Sequence, residues 1–250
     1  MEQNAQPAQQ DLTKKERKQL RRQQKEETRA QESKKRKVQR LGMWLLAALA
    51  FAGAGGGVVW LVQKSVPDLP VAGPAEILAQ DQVKGSDQAR VVLVEYGDFQ
   101  CPACASFYPV VKTLTEEFRD EIAIVYRHFP LTSVHAKAVI TARAAEAAAL
   151  QGKFWEMHDL LFERQREWVQ GDEQELLVQY ARELELEEEL FLEDLNSPAV
   201  RDKVEADRVG GLQARVNSTP TFFLNGERIQ NPRSYAEFYD LIVAALEQEN

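Results

Sequence analysis

The stretch Arg90-Val-Val-Leu-Val-Glu-Tyr-Gly-Asp-Phe-Gln-Cys-Pro-Ala-Cys104 decides how this chain is read. Its first seven residues are mostly apolar, rich in Val, and end at Gly97-Asp98, which predicts a strand buried on both faces. Cys101 and Cys104 follow, and they are the only 2 cysteines among 250 residues. Phe107, Val110, Val111, Leu114 and Phe118 then recur at helical spacing. A C-x-x-C placed where a strand hands over to a helix is a candidate redox site. The spacing puts both sulfurs on one side of the first helical turn, close enough to bond to each other. It also leaves the first sulfur at the helix N-terminus, where unpaired N–H groups and the macrodipole favour a thiolate. Pro102 suits the first helical position, since its missing N–H would have no partner there. The thiolate is the reactive form, so the placement predicts a nucleophile or a good leaving group.

Downstream, Ile122-Ala-Ile-Val-Tyr126 is a second apolar run, closed before Pro130. Strand, helix and strand in that order imply a right-handed crossover and a parallel pair. A helical insert is expected over about 133–212, with four or so helices at Ala136–Leu150, Phe154–Phe162, Glu173–Asn196 and Ala199–Leu212. Thr221-Phe-Phe-Leu224, Asn225-Gly226 and Glu227-Arg-Ile229 carry a strong hairpin signal, and Tyr235–Leu246 reads as an amphipathic helix. The order is that of an α/β, thioredoxin-like fold with a helical insertion over 78–250. Thr219-Pro220 opens the hairpin, and X-Pro bonds are where cis peptides occur. The residues alone leave its isomer open, a trans proline at the start of a strand being the ordinary case.

Upstream, Leu41–Val62 runs for 22 residues without a charge, long enough to cross a roughly 30 Å hydrocarbon core. Trp44 and Trp60 lie near its ends, and a transmembrane helix is predicted at 41–63. Residues 1–40 hold 13 Lys/Arg and 6 Asp/Glu, a net of +7; the whole chain is −8, so residues 41–250 carry −15. Basic residues crowd the N-terminal flank, which predicts a cytoplasmic N-terminus and an extracytoplasmic remainder on a single-pass cell-membrane anchor. A cleaved signal peptide is the rival; the charged lead and the apolar core are both too long for one, and no convincing small-x-small site follows. The arm at 1–40 is too poor in apolar residues to pack and is expected to be disordered, drawn to anionic lipid rather than to nucleic acid. The acidic remainder argues against a nucleic-acid partner there. Residues 64–77, with Pro67, Pro70, Gly73 and Pro74, read as a semi-rigid linker.

At these residues the chain resembles the DsbA-type branch of the thioredoxin superfamily, in particular the membrane-anchored bacterial thiol–disulfide oxidoreductases. The resemblance rests on Val91 to Cys104, Tyr126-Arg-His-Phe-Pro-Leu131, Gly152-Lys-Phe-Trp-Glu-Met-His158 and Ser218-Thr-Pro-Thr-Phe-Phe-Leu-Asn-Gly226, in that order. It spans roughly residues 78–250. It implies that Cys101 is the exposed attacking sulfur and that Cys104, one turn deeper, resolves the mixed disulfide. A cis Pro220 and Thr219 would face the pair, with the Thr219 backbone pairing with an extended substrate segment. Glu95 would be a buried acid assisting proton transfer to the inner cysteine, with a raised pKa; the ordinary alternative is a strand-edge Glu facing water. Asp98, nearer in sequence, reads as a turn residue. The resemblance further implies cysteine-containing extracytoplasmic polypeptides as substrates, no cofactor, oxidase activity and a membrane quinone-linked partner for reoxidation. Strongly oxidising members often carry His before the second cysteine; here Ala103 stands there, so reductase or isomerase action is the alternative.

Two rival chemistries remain. Cys101, Cys104, His128 and His135 make a Cys₂His₂ set by count, but the cysteines open a helix and neither His has ligand spacing. His128, His135 and His158 are expected as polar packing residues, His128 being the one nearest the site. A binding module with a structural disulfide is the non-enzymatic reading, and a bridge closing four residues adds little chain-entropy stabilisation.

Overall fold

A four-residue edge strand that the sequence did not announce, β1 (Gln82–Gly85), begins the sheet in the computed structural model, which describes residues 73–86 and 89–248. The predicted arm at 1–40, the span at 41–63 and the first part of the linker at 64–77 lie outside the described residues. No helix among the described residues is long and apolar enough to cross a membrane.

After β1 come β2 (Val91–Gly97), α1 (Pro102–Glu117) and β3 (Ile122–His128). Six helices follow: α2 (Ala138–Ala149), α3 (Phe154–Glu163), α4 (Gln165–Gln170), α5 (Glu173–Glu183), α6 (Glu188–Asp194) and α7 (Pro198–Gln213). Then come β4 (Thr221–Leu224), β5 (Glu227–Arg228) and α8 (Tyr235–Gln248). The sheet order is β1-β3-β2-β4-β5. β2 and β3 are parallel, from Val91 against Ile122 to Gly97 against His128, while the other pairs are antiparallel. The α/β thioredoxin-like arrangement with a helical insertion is therefore the fold observed. The insert holds six helices rather than four. Its Glu173–Asn196 tract breaks at Leu184–Glu187, where Glu185 takes φ 58° and Leu186 turns into the core, and no Gly or Pro marks the break.

Side chains alternate across β2, as strand geometry requires. Val91 and Leu93 pack with Leu114 of α1 and Phe238 and Ile242 of α8; Val94 and Tyr96 pack on the opposite face with Val125, Phe129 and Phe223. Glu95 and Gly97 share the α1 face. Gly97 is a glycine for a steric reason: a Cβ there would lie 2.5 Å from the Tyr126 ring that crosses it. The Asn225-Gly226 turn has both residues at positive φ (48° and 85°), the requirement of a two-residue I′ hairpin.

One cation is entirely enclosed. Arg127, 1% exposed, donates from Nε and one terminal nitrogen to Asp81 (3.3 and 2.7 Å). Its other donors reach the Gly73 carbonyl (2.9 Å), the Tyr96 hydroxyl (3.3 Å) and the Glu76 carbonyl. This fork pins the segment 73–81 to β3, the pattern for which a guanidinium is suited.

Candidate active site

Cys101 is the N-cap of α1, in extended conformation (φ −73°, ψ 121°), with Pro102 beginning the helix. Its sulfur donates to the Thr219 carbonyl at 3.3 Å. Thr219-Pro220 is cis, and the turn is held by Thr221 Oγ1 donating to Ser218 O and Asn231 Nδ2 donating to Pro220 O, both 2.8 Å. The five residues singled out in the sequence thus converge: Cys101, Cys104, Thr219 and Pro220 around the first turn of α1, with Glu95 beneath. Cys101 is 7% exposed, less than an exposed attacking sulfur implies, because Thr219 and the core beneath cover it; Pro102 and Ala103 beside it are open.

The electrostatics differ sharply between the two sulfurs. The Cys101 thiol is pulled down to about 5, chiefly by a hydrogen bond from Cys104; burial opposes this, and Thr219 and the N–H groups of Cys104 and Ala103 add to it. Thr219 Oγ1 is buried with no hydrogen-bond partner, so its hydroxyl is free to turn to the sulfur as a thiolate forms. Cys104 is fully buried, and its thiol is pushed well up, first by burial, then by its bond to Cys101 and the charge of Glu95.

Glu95 lies in the central strand between β3 and β4, 4% exposed, which excludes the strand-edge alternative. Burial, then the charge on Cys101, raises its carboxyl from 4.5 to about 8. A carboxyl poised near neutrality beside a buried thiol can take or give a proton. Glu95→Gln is expected to slow the step that forms or consumes the Cys104 thiolate by about a hundredfold, the lower end for a positioned acid–base group. The check is single-turnover exchange against pH: the wild-type inflection near 8 should vanish in the variant.

Asp98 is a turn residue, and more. Oδ1 accepts the Gln100 N–H (2.8 Å); Oδ2 accepts the Leu131 N–H (2.9 Å) and meets His135 Nδ1 at 2.7 Å. His128 Nε2 lies 2.8 Å from Glu146 Oε1, and His158 sits among Phe99, Tyr126, Trp155 and Phe162. All three histidines are occupied by packing partners, so no Cys₂His₂ set forms. Among the described residues one trio of potential ligands falls within 4.8 Å: His128, Glu146 and Asp207. It already holds an internal cation, since Lys203 Nζ is 2.5 Å from Asp207.

Three neighbours carried no sequence signal for this role. Gln100 Oε1 accepts the Lys137 N–H at 2.7 Å. Gln165 Nε2 donates to the carbonyls of Phe99 (2.7 Å) and Cys101 (3.0 Å) across more than 60 residues of sequence. Tyr126, buried with an unpartnered hydroxyl, stands opposite Glu95 in the β2–β3 register. It lay in a stretch that already carried the resemblance, whereas Gln165 belongs to no motif.

Comparison with known proteins follows the same lines. Residues 78–244 match the model of a family described as Thioredoxin. The chain is similar in structure to the oxidised form of BdbD from Bacillus subtilis, with a TM-score of 0.59 and 26% identity over 72% of this chain and 100% of that one. It shares its fold with Wolbachia pipientis α-DsbA1, at TM-score 0.61 and 19% identity over 69% and 94% of the two chains. In sequence it is 40% identical over 181 residues to a Salinispora arenicola protein named Na(+)/H(+) antiporter NhaA 1, covering 72% of this chain and 25% of that one. A Herminiimonas arsenicoxydans protein named Na(+)/H(+) antiporter NhaA is 38% identical over 192 residues, 74% of this chain and 30% of that one. The chain therefore spans roughly a quarter to a third of these relatives.

Proposed function

From the premise that this chain belongs to the thioredoxin family, we propose that it is a thiol–disulfide oxidoreductase acting outside the cytoplasmic membrane on cysteine-containing polypeptides, running as an oxidase. The observation that carries the direction is the Cys101 sulfur, drawn down to about 5 at the mouth of α1. A stabilised thiolate favours the reduced pair, and a protein whose reduced form is stabilised gives its disulfide away, at about 30 mV per 1.4 kcal/mol. Ala103 does not remove this effect, because the stabilising groups are Cys104, Thr219 and backbone N–H groups.

In the cycle, a substrate thiolate attacks Cys101 Sγ of the enzyme disulfide. The Cys101–Cys104 bond breaks, a Cys101–substrate bond forms, and Cys104 departs as a thiolate. Glu95, protonated near neutrality, supplies the proton Cys104 requires in its apolar setting. A second substrate thiolate then attacks the substrate sulfur of the mixed disulfide, and Cys101 departs as a stable thiolate. Two electrons have passed from substrate dithiol to enzyme disulfide. Reoxidation falls to a membrane partner with a quinone behind it.

The setting is read from the sequence. Leu41–Val62 is an uncharged span with Lys and Arg concentrated on its N-terminal side, the arrangement of an anchor with this domain outside. Attachment to membrane lipid would run through that span. Disulfides also persist in that compartment.

The test is a trap. Cys104→Ser should accumulate covalent complexes between Cys101 and client proteins, seen as reductant-sensitive bands, and Cys101→Ser should accumulate none. Absence of such complexes in Cys104→Ser would sink the exchange mechanism.

A further inference from the structure

We infer that Gln165, at the start of α4 in the helical insert, is a positioning residue for Cys101: its side-chain amide holds the active-site turn in register with the helix that follows. The inference rests on the exchange function proposed above and adds a residue to its machinery.

Helix starts are usually fixed by an N-cap side chain that accepts a backbone N–H. Here the N-cap is Cys101, and its side chain makes no capping bond. A nucleophile that must be free to form a mixed disulfide cannot also fasten the helix. The fastening is done from outside. Asp98 O accepts the Cys101 N–H at 3.0 Å, and Asp98 Oδ1 accepts the Gln100 N–H at 2.8 Å. Two further carbonyls of the turn, Phe99 O and Cys101 O, are both taken by Gln165 Nε2, at 2.7 and 3.0 Å. Cys101 O also accepts the first helical N–H, from Ala105 at 3.2 Å, so Gln165 grips the same carbonyl that begins the α1 ladder.

Gln165 is itself held. Trp168, one turn on, is fully buried and donates from Nε1 to Leu161 O at 2.7 Å. Lys137 Nζ donates to Trp168 O (2.9 Å) and Gly171 O (2.8 Å) at the far end of α4. The Lys137 backbone N–H reaches Gln100 Oε1 at 2.7 Å. The insert thus reaches the redox turn through His135 on Asp98, the Lys137 N–H on Gln100 and Gln165 on the carbonyls of Phe99 and Cys101, and Lys137 joins the last two. Two consequences follow for the sulfur. Amide hydrogens on Phe99 O and Cys101 O damp the negative ends of two nearby dipoles. The fixed turn also keeps the Ala103 and Cys104 N–H groups, which stabilise the thiolate, facing Cys101. Loss of Gln165 therefore raises the thiol's pKa and makes the protein a weaker oxidant.

The experiment measures two quantities in the full chain: the Cys101 titration by thiolate absorbance, and the equilibrium with glutathione. Gln165→Met keeps the length and the apolar stem while removing the donor; Gln165→Ala removes both. Each should lower the thiolate fraction below the midpoint about tenfold, the size of one or two net hydrogen bonds. Each should also move the glutathione equilibrium about tenfold toward the enzyme disulfide, roughly 30 mV. Gln179→Ala, whose amide meets only Glu183 on the exposed face of α5, should change neither quantity. If the alanine variant fails to fold, the methionine variant gives the reading. A wild-type low titration that both folded Gln165 variants retain would overturn the inference and leave the exchange function standing. A wild type with no low-titrating thiol and no exchange would instead overturn the function itself.

Discussion

The stability of the reduced protein is expected to rise with pH relative to the oxidised protein, by about 1.4 kcal/mol per pH unit between pH 5 and 9. Cys101 falls from an ordinary 9.0 to about 5 on folding, so the folded reduced state holds a thiolate where the unfolded chain holds a thiol. A depressed acid stabilises most above the unfolded value of 9 and loses that contribution as pH falls through 5. The oxidised protein has no such group. Against it stands the loop closure of a four-residue bridge, roughly 2 kcal/mol in the chain-entropy picture. The disulfide should thus stabilise at pH 5 and become a net cost at the alkaline end of the window. Glu95 contributes the opposite slope, since a raised acid loses stability as pH climbs from 4.5 to about 8. Its burial acts in both redox forms, so most of that slope cancels in the difference. Guanidinium midpoints of both forms at pH 5, 7 and 9 read the effect; parallel curves would contradict it.

Arg127→Met should cost about 3–5 kcal/mol, the penalty for breaking a buried ion pair from one side. The variant leaves Asp81, 2% exposed in its side chain, with the Leu78 N–H at 2.9 Å and Lys203 at 3.6 Å but without its guanidinium; it also takes one of two donors from the Gly73 carbonyl and the Arg127 donor from the Glu76 carbonyl. Adding Asp81→Leu should restore a large part of the loss, because the stranded charge goes with it. Chemical denaturation of the single and double variants measures this. An additive double variant would mean that Arg127 acts through packing alone.

The parts of this molecule legible from its sequence are those in which one local signal agrees with the tertiary demand. β2 and β3 are central and read as unbroken apolar runs; Asn225-Gly226 has one backbone geometry open to it; Pro102 and the cysteine spacing fix the start of α1. Glu95 was a site candidate through the resemblance, and the sequence left a strand-edge Glu facing water open; its place in the central strand, 4% exposed, decides between them. β1 was not legible, since Gln82-Val-Lys-Gly is half-buried and owes its pairing to the free edge of β3. The break between α5 and α6 was hidden because Leu186 is drawn inward without a Gly or Pro to mark the turn. The shielding of Cys101 and the grip of Gln165 are products of distant segments, residues 118 and 64 positions away, and no spacing rule reaches that far.

Everything mechanistic here depends on a sulfur at the head of α1 that ionises easily while its partner does not. Titrating the thiolate absorbance of the reduced protein from pH 3 to 10, with Cys104→Ser to assign the signal, tests that directly. The expected curve for wild type has a single early transition near 5, belonging to Cys101, and no second transition until well above 9. A first transition at about 9, the ordinary value of this thiol, would contradict the account.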